Sequence, residues 1–82
     1  MNREEVEGWV REMIARELGL PALPLPAKRI VDDLGADSLD MIELTIECEK
    51  HFKVDISDAA MDKVKTVDQL VDAVMDAGKA TK

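Results

Sequence analysis

Apolar side chains recur three and four residues apart in three separate stretches, and this period limits the fold more than any other feature. Val6, Val10, Met13, Ile14 and Leu18 mark the first stretch. Leu39, Met41, Ile42, Leu44, Ile46, Cys48 and Phe52 mark the second, and Val67, Leu70, Val71, Val74 and Met75 the third. Such spacing lays apolar stripes along α-helices and does not alternate as a half-buried strand must. Aromatic residues make up only 2% of the chain, Trp9 and Phe52, against 46% apolar residues overall. The core is therefore aliphatic and rich in adaptable Met, which suits packed helices better than a β-sandwich. The expectation is an all-α, four-helix bundle of three main helices and one short one. With 82 residues it should be a single domain, 1–82, with an ordered core of about 3–78 and a frayed tail at 79–82.

Punctuation residues set the boundaries. The first helix spans Arg3 to Leu18 and stops at Gly19 and Pro21; Gly8 inside it costs about 1 kcal/mol relative to Ala. Trp9 lies beside its apolar stripe and is expected to pack at the edge. A long first loop follows, Leu20 to Arg29, where Pro21, Pro24 and Pro26 forbid a continuous helix. Leu20, Leu23 and Leu25 are expected to tuck against the bundle. The second helix runs from about Ser38 to His51, with Asp37 as N-cap and Asp40 in the place of a capping-box Glu. Val54-Asp55-Ile56 reads as extended, Ser57 as the cap of a short helix over about Asp58 to Lys63. Thr66 with Gln69 forms a capping box for the last helix, and Gly78 fits a C′ position beyond its end.

Charge narrows the function classes. Between Asp32 and Asp58 stand nine acids and two bases, Lys50 and Lys53, whereas the rest of the chain balances; the net charge of −7 is thus concentrated around one loop and the second helix. Such a stripe repels nucleic acid and anionic membranes and attracts basic protein surfaces. No run is long enough to span a membrane, and the first residues lack a signal peptide's apolar stretch. A single Cys48 leaves no internal disulfide and suits a reducing cytoplasm. Asp32 and Glu43 have the span of an EF-hand loop, but Leu34, Ala36 and Asp37 occupy positions that need acid, acid and Gly. Ser38 is not in a G-x-S-x-G elbow, and the only histidine, His51, is more than three helical turns from it. One Cys and one His make no zinc set. No metal site and no catalytic machinery are expected.

The second helix carries more apolar residues than one buried stripe requires. Met41, Leu44, Cys48 and Phe52 lie on one side, Leu39, Ile42 and Ile46 on another, with carboxylates between them. Ser38 opens this helix. A serine at a helix start is by default only part of a cap, but the unpaired N–H groups and partial positive charge there also stabilise an attached anion. The run Asp32-Asp33-Leu34-Gly35-Ala36-Asp37-Ser38-Leu39-Asp40, followed by Glu43-Leu44 and Phe52, resembles the attachment site of acyl carrier proteins. Ile56, Val64 and Thr66 also fall where that family has corresponding residues, so the resemblance covers roughly Val6 to Gly78, apart from the proline-rich loop.

The resemblance implies a discrete, type II-like carrier whose Ser38 is esterified with 4′-phosphopantetheine from coenzyme A by a phosphopantetheinyl transferase, with Asp37 and Leu39 flanking the attachment point. It implies that Leu44, Cys48 and Phe52 face the core. Leu39, Ile42 and Ile46 then form an exposed strip, and Asp40, Ile42, Glu43, Ile46, Glu47 and Glu49 dock partner enzymes. Those partners would be acyl-loading and acyl-processing enzymes, a ketosynthase, acyltransferase or ligase of fatty-acid synthesis or of a specialised lipid or polyketide pathway. The carrier would act as a cytoplasmic monomer, without nucleic acid or membrane, as a substrate of enzymes and not an enzyme itself. The alternative from another class is an unmodified acidic helical interaction module. Two finer expectations follow. Cys48, Ile56, Val64 and the Met residues should line a deformable site for a folded-back acyl chain. Lys50 and His51, with Lys53 and Lys28-Arg29, should make the far end of the docking face less negative, as fits a dedicated pathway.

Overall fold

The structure, a computed structural model, describes residues 2–80. Four helices follow in the order α1 (Arg3–Leu18), α2 (Ser38–Phe52), α3 (Asp58–Asp62) and α4 (Val67–Ala80). The amphipathic pattern accounts for their assembly. Val6, Val10, Met13 and Ile14 of α1, Leu44 and Cys48 of α2, and Val67, Leu70, Val71 and Val74 of α4 are fully buried in one aliphatic core. α1 packs most extensively on α4. Arg3 clasps that pair from outside, its two terminal nitrogens 2.7 Å from Asp68 and 2.6 Å from Asp72, one turn apart on α4.

Caps fix the ends as the residue types require. Asn2 accepts the N–H groups of Glu4 and Glu5 at the start of α1, and Gly19 ends it at φ 65°, a left-handed conformation that glycine adopts without a Cβ clash. α2 extends one residue beyond the expected end, because Lys53 takes the left-handed C-cap position and its N–H reaches the Glu49 carbonyl. Ser57 caps α3, which ends at Asp62 with Lys63 as its C-cap. Thr66 and Gln69 form the expected reciprocal box at α4: the Gln69 N–H donates to the Thr66 hydroxyl at 3.1 Å and the Thr66 N–H to Gln69 Oε1 at 3.0 Å.

Two expectations need correction. Gly78 does not end α4, which continues to Ala80; the positive-φ glycines are Gly19 and Gly35. Glycine permits a left-handed stop but does not impose one, and no proline follows to forbid the next turn. Of the expected frayed tail, Lys79 and Ala80 are helical, and Thr81 and Lys82 lie outside the described residues. In the proline loop, Leu20 packs against the core, but Leu23 and Leu25 are 45% and 60% exposed. Pro24 between them turns inward, and its carbonyl accepts a 2.7 Å hydrogen bond from Arg11 Nε. Anchoring Pro24 to α1 leaves both leucines on the outside.

The same loop is tied to the start of α4. Asp68 N–H donates to the Pro26 carbonyl, Val67 N–H to Lys28 and Ile30 N–H to Lys65, around an antiparallel bridge between Arg29 and Thr66. Ile30 is fully buried there. A connection of this length is thus held down over the core, and it delivers the chain to α2 at a fixed point.

Candidate functional site

That point is built by a tight turn. The N–H groups of Asp33 and Leu34 donate to the Arg29 carbonyl, Gly35 to Val31 and Ala36 to Ile30. Gly35 has φ 80°, which a side chain would strain. Asp33 locks the turn by accepting the Arg29 backbone N–H at 2.8 Å and the guanidinium at 3.2 and 3.3 Å. These bonds, the backbone one foremost, hold the Asp33 carboxyl below its ordinary range, and Asp33 in turn raises the pKa of Arg29.

Asp37 then caps α2. Its carboxylate accepts the Asp40 N–H at 2.9 Å while Asp40 accepts the Asp37 N–H at 3.1 Å, a complete box with Asp in place of Glu. Ser38 is the first helical residue and is exposed, and its hydroxyl has no hydrogen-bond partner among the described residues. Its own N–H and that of Leu39 precede the first intrahelical acceptors, so two donors and the positive end of the helix dipole stand beside the hydroxyl.

Ser38 opens onto a groove of about 810 Å³ between α2, α3 and the loop–α4 junction. Val31, Met41, Ile42, Ile46, Ile56, Met61 and Val64 supply its apolar lining. Arg29, Asp32, Glu49, Asp58, Asp62 and Lys65 add charge, with Thr45, whose hydroxyl bonds back to the Met41 carbonyl, completing the wall. Met41 and Met61 are flexible fillers suited to a lining that must adapt. Ile56 and Val64 are in the groove as expected. Cys48 is not: it is fully buried behind the wall, among the core residues. Burial, with Glu47 and Glu49 nearby, pushes its thiol up to about 12, so it is an inert core group.

Leu39, Ile42 and Ile46 are 65%, 55% and 41% exposed, while Leu44 and Cys48 are buried and Phe52 is partly buried against the core. The second stripe of α2 is thus presented to solvent. Glu43 is exposed beside it; Asp40 and Glu47 are half-buried, and Asp40 is engaged in the cap. Glu49 lines the groove and accepts the Ile56 N–H at 2.9 Å, which fastens the α2–α3 connection.

His51 stacks on Trp9 with ring centroids 4.1 Å apart, and both meet Phe52 edge-on. Trp9 therefore does pack at an edge. His51 is turned to Trp9 of α1; of the other residues of the expected basic end, Lys50 lies one turn beyond Ile46, and Lys53 and Lys28 are exposed. Arg29 is likewise matched, by Asp33 and by Asp32 at 3.6 Å. Arg29, Val31, Asp32, Thr45 and Lys65 are groove residues that sequence reasoning missed. An apolar Val31 next to an acidic pair was a faint signal; Lys65 had none, because its place depends on pairing with Ile30.

An exposed serine thus stands on a capped helix start, beside an apolar-floored groove. Residues 8–74 match the family described as phosphopantetheine attachment site. The chain is also 37% identical over 71 residues to the acyl carrier protein of Thermotoga maritima, covering 85% of this chain and 88% of that one. The protein belongs to the acyl carrier family, and its role is that of a phosphopantetheine-dependent carrier. The residues fit the group: an unpartnered hydroxyl to esterify, free N–H donors for a phosphodiester, and a groove for what hangs from it. None of the helices among the described residues is long and apolar enough to cross a membrane.

Proposed function

We propose that Ser38 is the attachment site and that the whole chain, 1–82, works as one monomeric carrier domain in the cytoplasm, modified by a phosphopantetheinyl transferase that uses coenzyme A. The observation that carries this is the exposed, unpartnered Ser38 hydroxyl at the first position of α2, on the lip of the groove. When bound, the group supplies a thiol that holds acyl cargo as a thioester. The chain's own residues position and protect. Asp37 and Asp40 tie down the first turn, the N–H groups of Ser38 and Leu39 favour an anion beside them, and Met41, Ile56, Met61 and Val64 offer an apolar floor that excludes water. The chain performs no catalysis of its own.

Leu39, Ile42 and Ile46, with Asp40, Glu43, Glu47 and Glu49 around them, form the docking surface for acyl-loading and acyl-processing enzymes. Each apolar side chain buried in a partner contributes about 1.5–3 kcal/mol before the costs of association. The carboxylates speed encounter with basic partners in a salt-sensitive way, which suits a carrier that must leave one enzyme for the next. The pathway is fatty-acid synthesis or a specialised lipid or polyketide route. Lys50 on the docking face favours the specialised one, and Lys50→Glu should then improve turnover by a general ketosynthase at low salt only.

Incubation with coenzyme A, magnesium and a transferase tests the attachment. Wild type should gain the mass of one phosphopantetheine and Ser38→Ala none. A wild type that gains nothing would leave an acidic interaction module acting unmodified.

A further inference from the structure

The groove beside Ser38 is electrically lopsided. Asp58 and Asp62 stand on its α3 side, and Glu49, which holds the Ile56 N–H, closes the α2 end. The opposite wall carries Arg29 and Lys65, from the two segments joined there by the Ile30–Lys65 hydrogen bond and the Arg29–Thr66 bridge. Asp32 also lines this wall, but Arg29 pairs with it and with Asp33. Among the described residues, no carboxylate stands within salt-bridge distance of the Lys65 ammonium. Lys65 is therefore the groove's unmatched cation.

An anion fixed to Ser38 at the lip of this groove meets repulsion from one side and attraction from the other. We propose that Lys65 is a positioning residue for the phosphopantetheine arm: its ammonium draws the Ser38 phosphodiester toward the loop–α4 wall, with Arg29 masking Asp32 and Asp33. This rests on Ser38 being the attachment point. The arm then starts along the inner wall, with the apolar floor ahead of it, and not across the exposed strip of Leu39 and Ile42. Its thiol or thioester is sheltered between partners, and a partner's own cations release it by competing for the phosphate. No new bond is made or broken; only the resting direction of the arm is set.

The reactivity of the arm thiol toward a small disulfide reagent, measured on holo protein at low salt, tests this. Cys48, fully buried and with its thiol pushed up to about 12, gives little background, which the apo protein measures. Lys65→Gln should react about two- to fivefold faster than wild type, the range of an exposed ion pair. Lys65→Arg should stay near wild type, and Lys28→Gln, the same charge change outside the groove lining, should have no effect. Added salt should raise the wild-type rate to that of Lys65→Gln and leave the variant unchanged, and the single phosphodiester resonance in a phosphorus NMR spectrum should shift in Lys65→Gln but not in Lys28→Gln. Equal rates for wild type and Lys65→Gln at low salt, or an equal effect of Lys28→Gln, would overturn the proposal while leaving the attachment intact. Absence of the phosphodiester resonance from loaded wild type would instead remove the attachment itself.

Discussion

The α1–α4 side and the α2–α3 side of this molecule are made from similar amphipathic patterns, yet only one of them is closed. On the first side, Val6, Val10, Met13, Ile14, Val67, Leu70, Val71 and Val74 are all fully buried, and Arg3 is pinned to Asp68 and Asp72 across the seam. On the second side, α2 buries fully only Leu44 and Cys48, α3 buries no residue completely, and Ile42 and Ile46 stand open above a groove. Apolar surface left in water is stability forgone, about 25 cal/mol for each Å². One side holds the fold, and the other is the open side on which the proposed attachment and docking fall.

The largest effects that could break this contrast are in the closed side. Met13→Ala should destabilise by about 2–5 kcal/mol, a large share of what so small a domain has. Denaturant unfolding checks this. A loss below about 1 kcal/mol would show that the α1–α4 core is looser than its burial implies. The paired change Ile42→Ala/Ile46→Ala should leave stability within about 1 kcal/mol of wild type. It should nonetheless weaken binding to an acyl-processing enzyme by about tenfold or more, as burial of even one such side chain predicts. Binding measured by titration decides; loss of stability without loss of affinity would place the stripe in the core after all.

A smaller effect sharpens the comparison at the turn that leads into α2. Asp33 has its pKa lowered in the fold, so its bonds to Arg29 stabilise the turn above the unfolded-state value of about 3.9 and are lost as pH falls through the depressed folded-state value. Hydrogen exchange of the Arg29 N–H should therefore quicken, relative to intrinsic rates, as pH drops below that range. Asp33→Asn should remove this pH dependence while the α1–α4 core stays protected. If the turn and the core lose protection together, the two sides are one cooperative unit.

Much of the contrast is legible in the sequence, and the exceptions share a cause. Period and caps locate the four helices because those signals act within one turn, and the excess of apolar residues on α2 announces a second stripe. Which stripe is exposed follows from the family resemblance and not from the spacing. Leu23 and Leu25 lie outside, against expectation, because the inward residue of this loop is chosen by a distant partner, here Arg11 gripping Pro24. Cys48 is expected in the groove lining, but α2 turns it behind the wall. The sequence puts His51 on the docking face because Trp9, which takes it away, lies forty-two positions earlier. Lys65 and Arg29 come to the same groove only through the loop–α4 pairing. Local chemistry can be read along a line; wall residues of a groove are set by long-range pairing.

The melting temperatures of the holo and octanoyl-holo proteins test most directly whether the open side is a binding side. If the acyl chain settles among Met41, Ile56, Met61 and Val64, it binds the folded state alone and must raise the melting temperature. Octanoylation should therefore stabilise the holo protein, with the accompanying changes in hydrogen exchange concentrated around α3 and the groove-facing side of α2. A melting temperature unchanged from the holo to the octanoyl form would contradict the account.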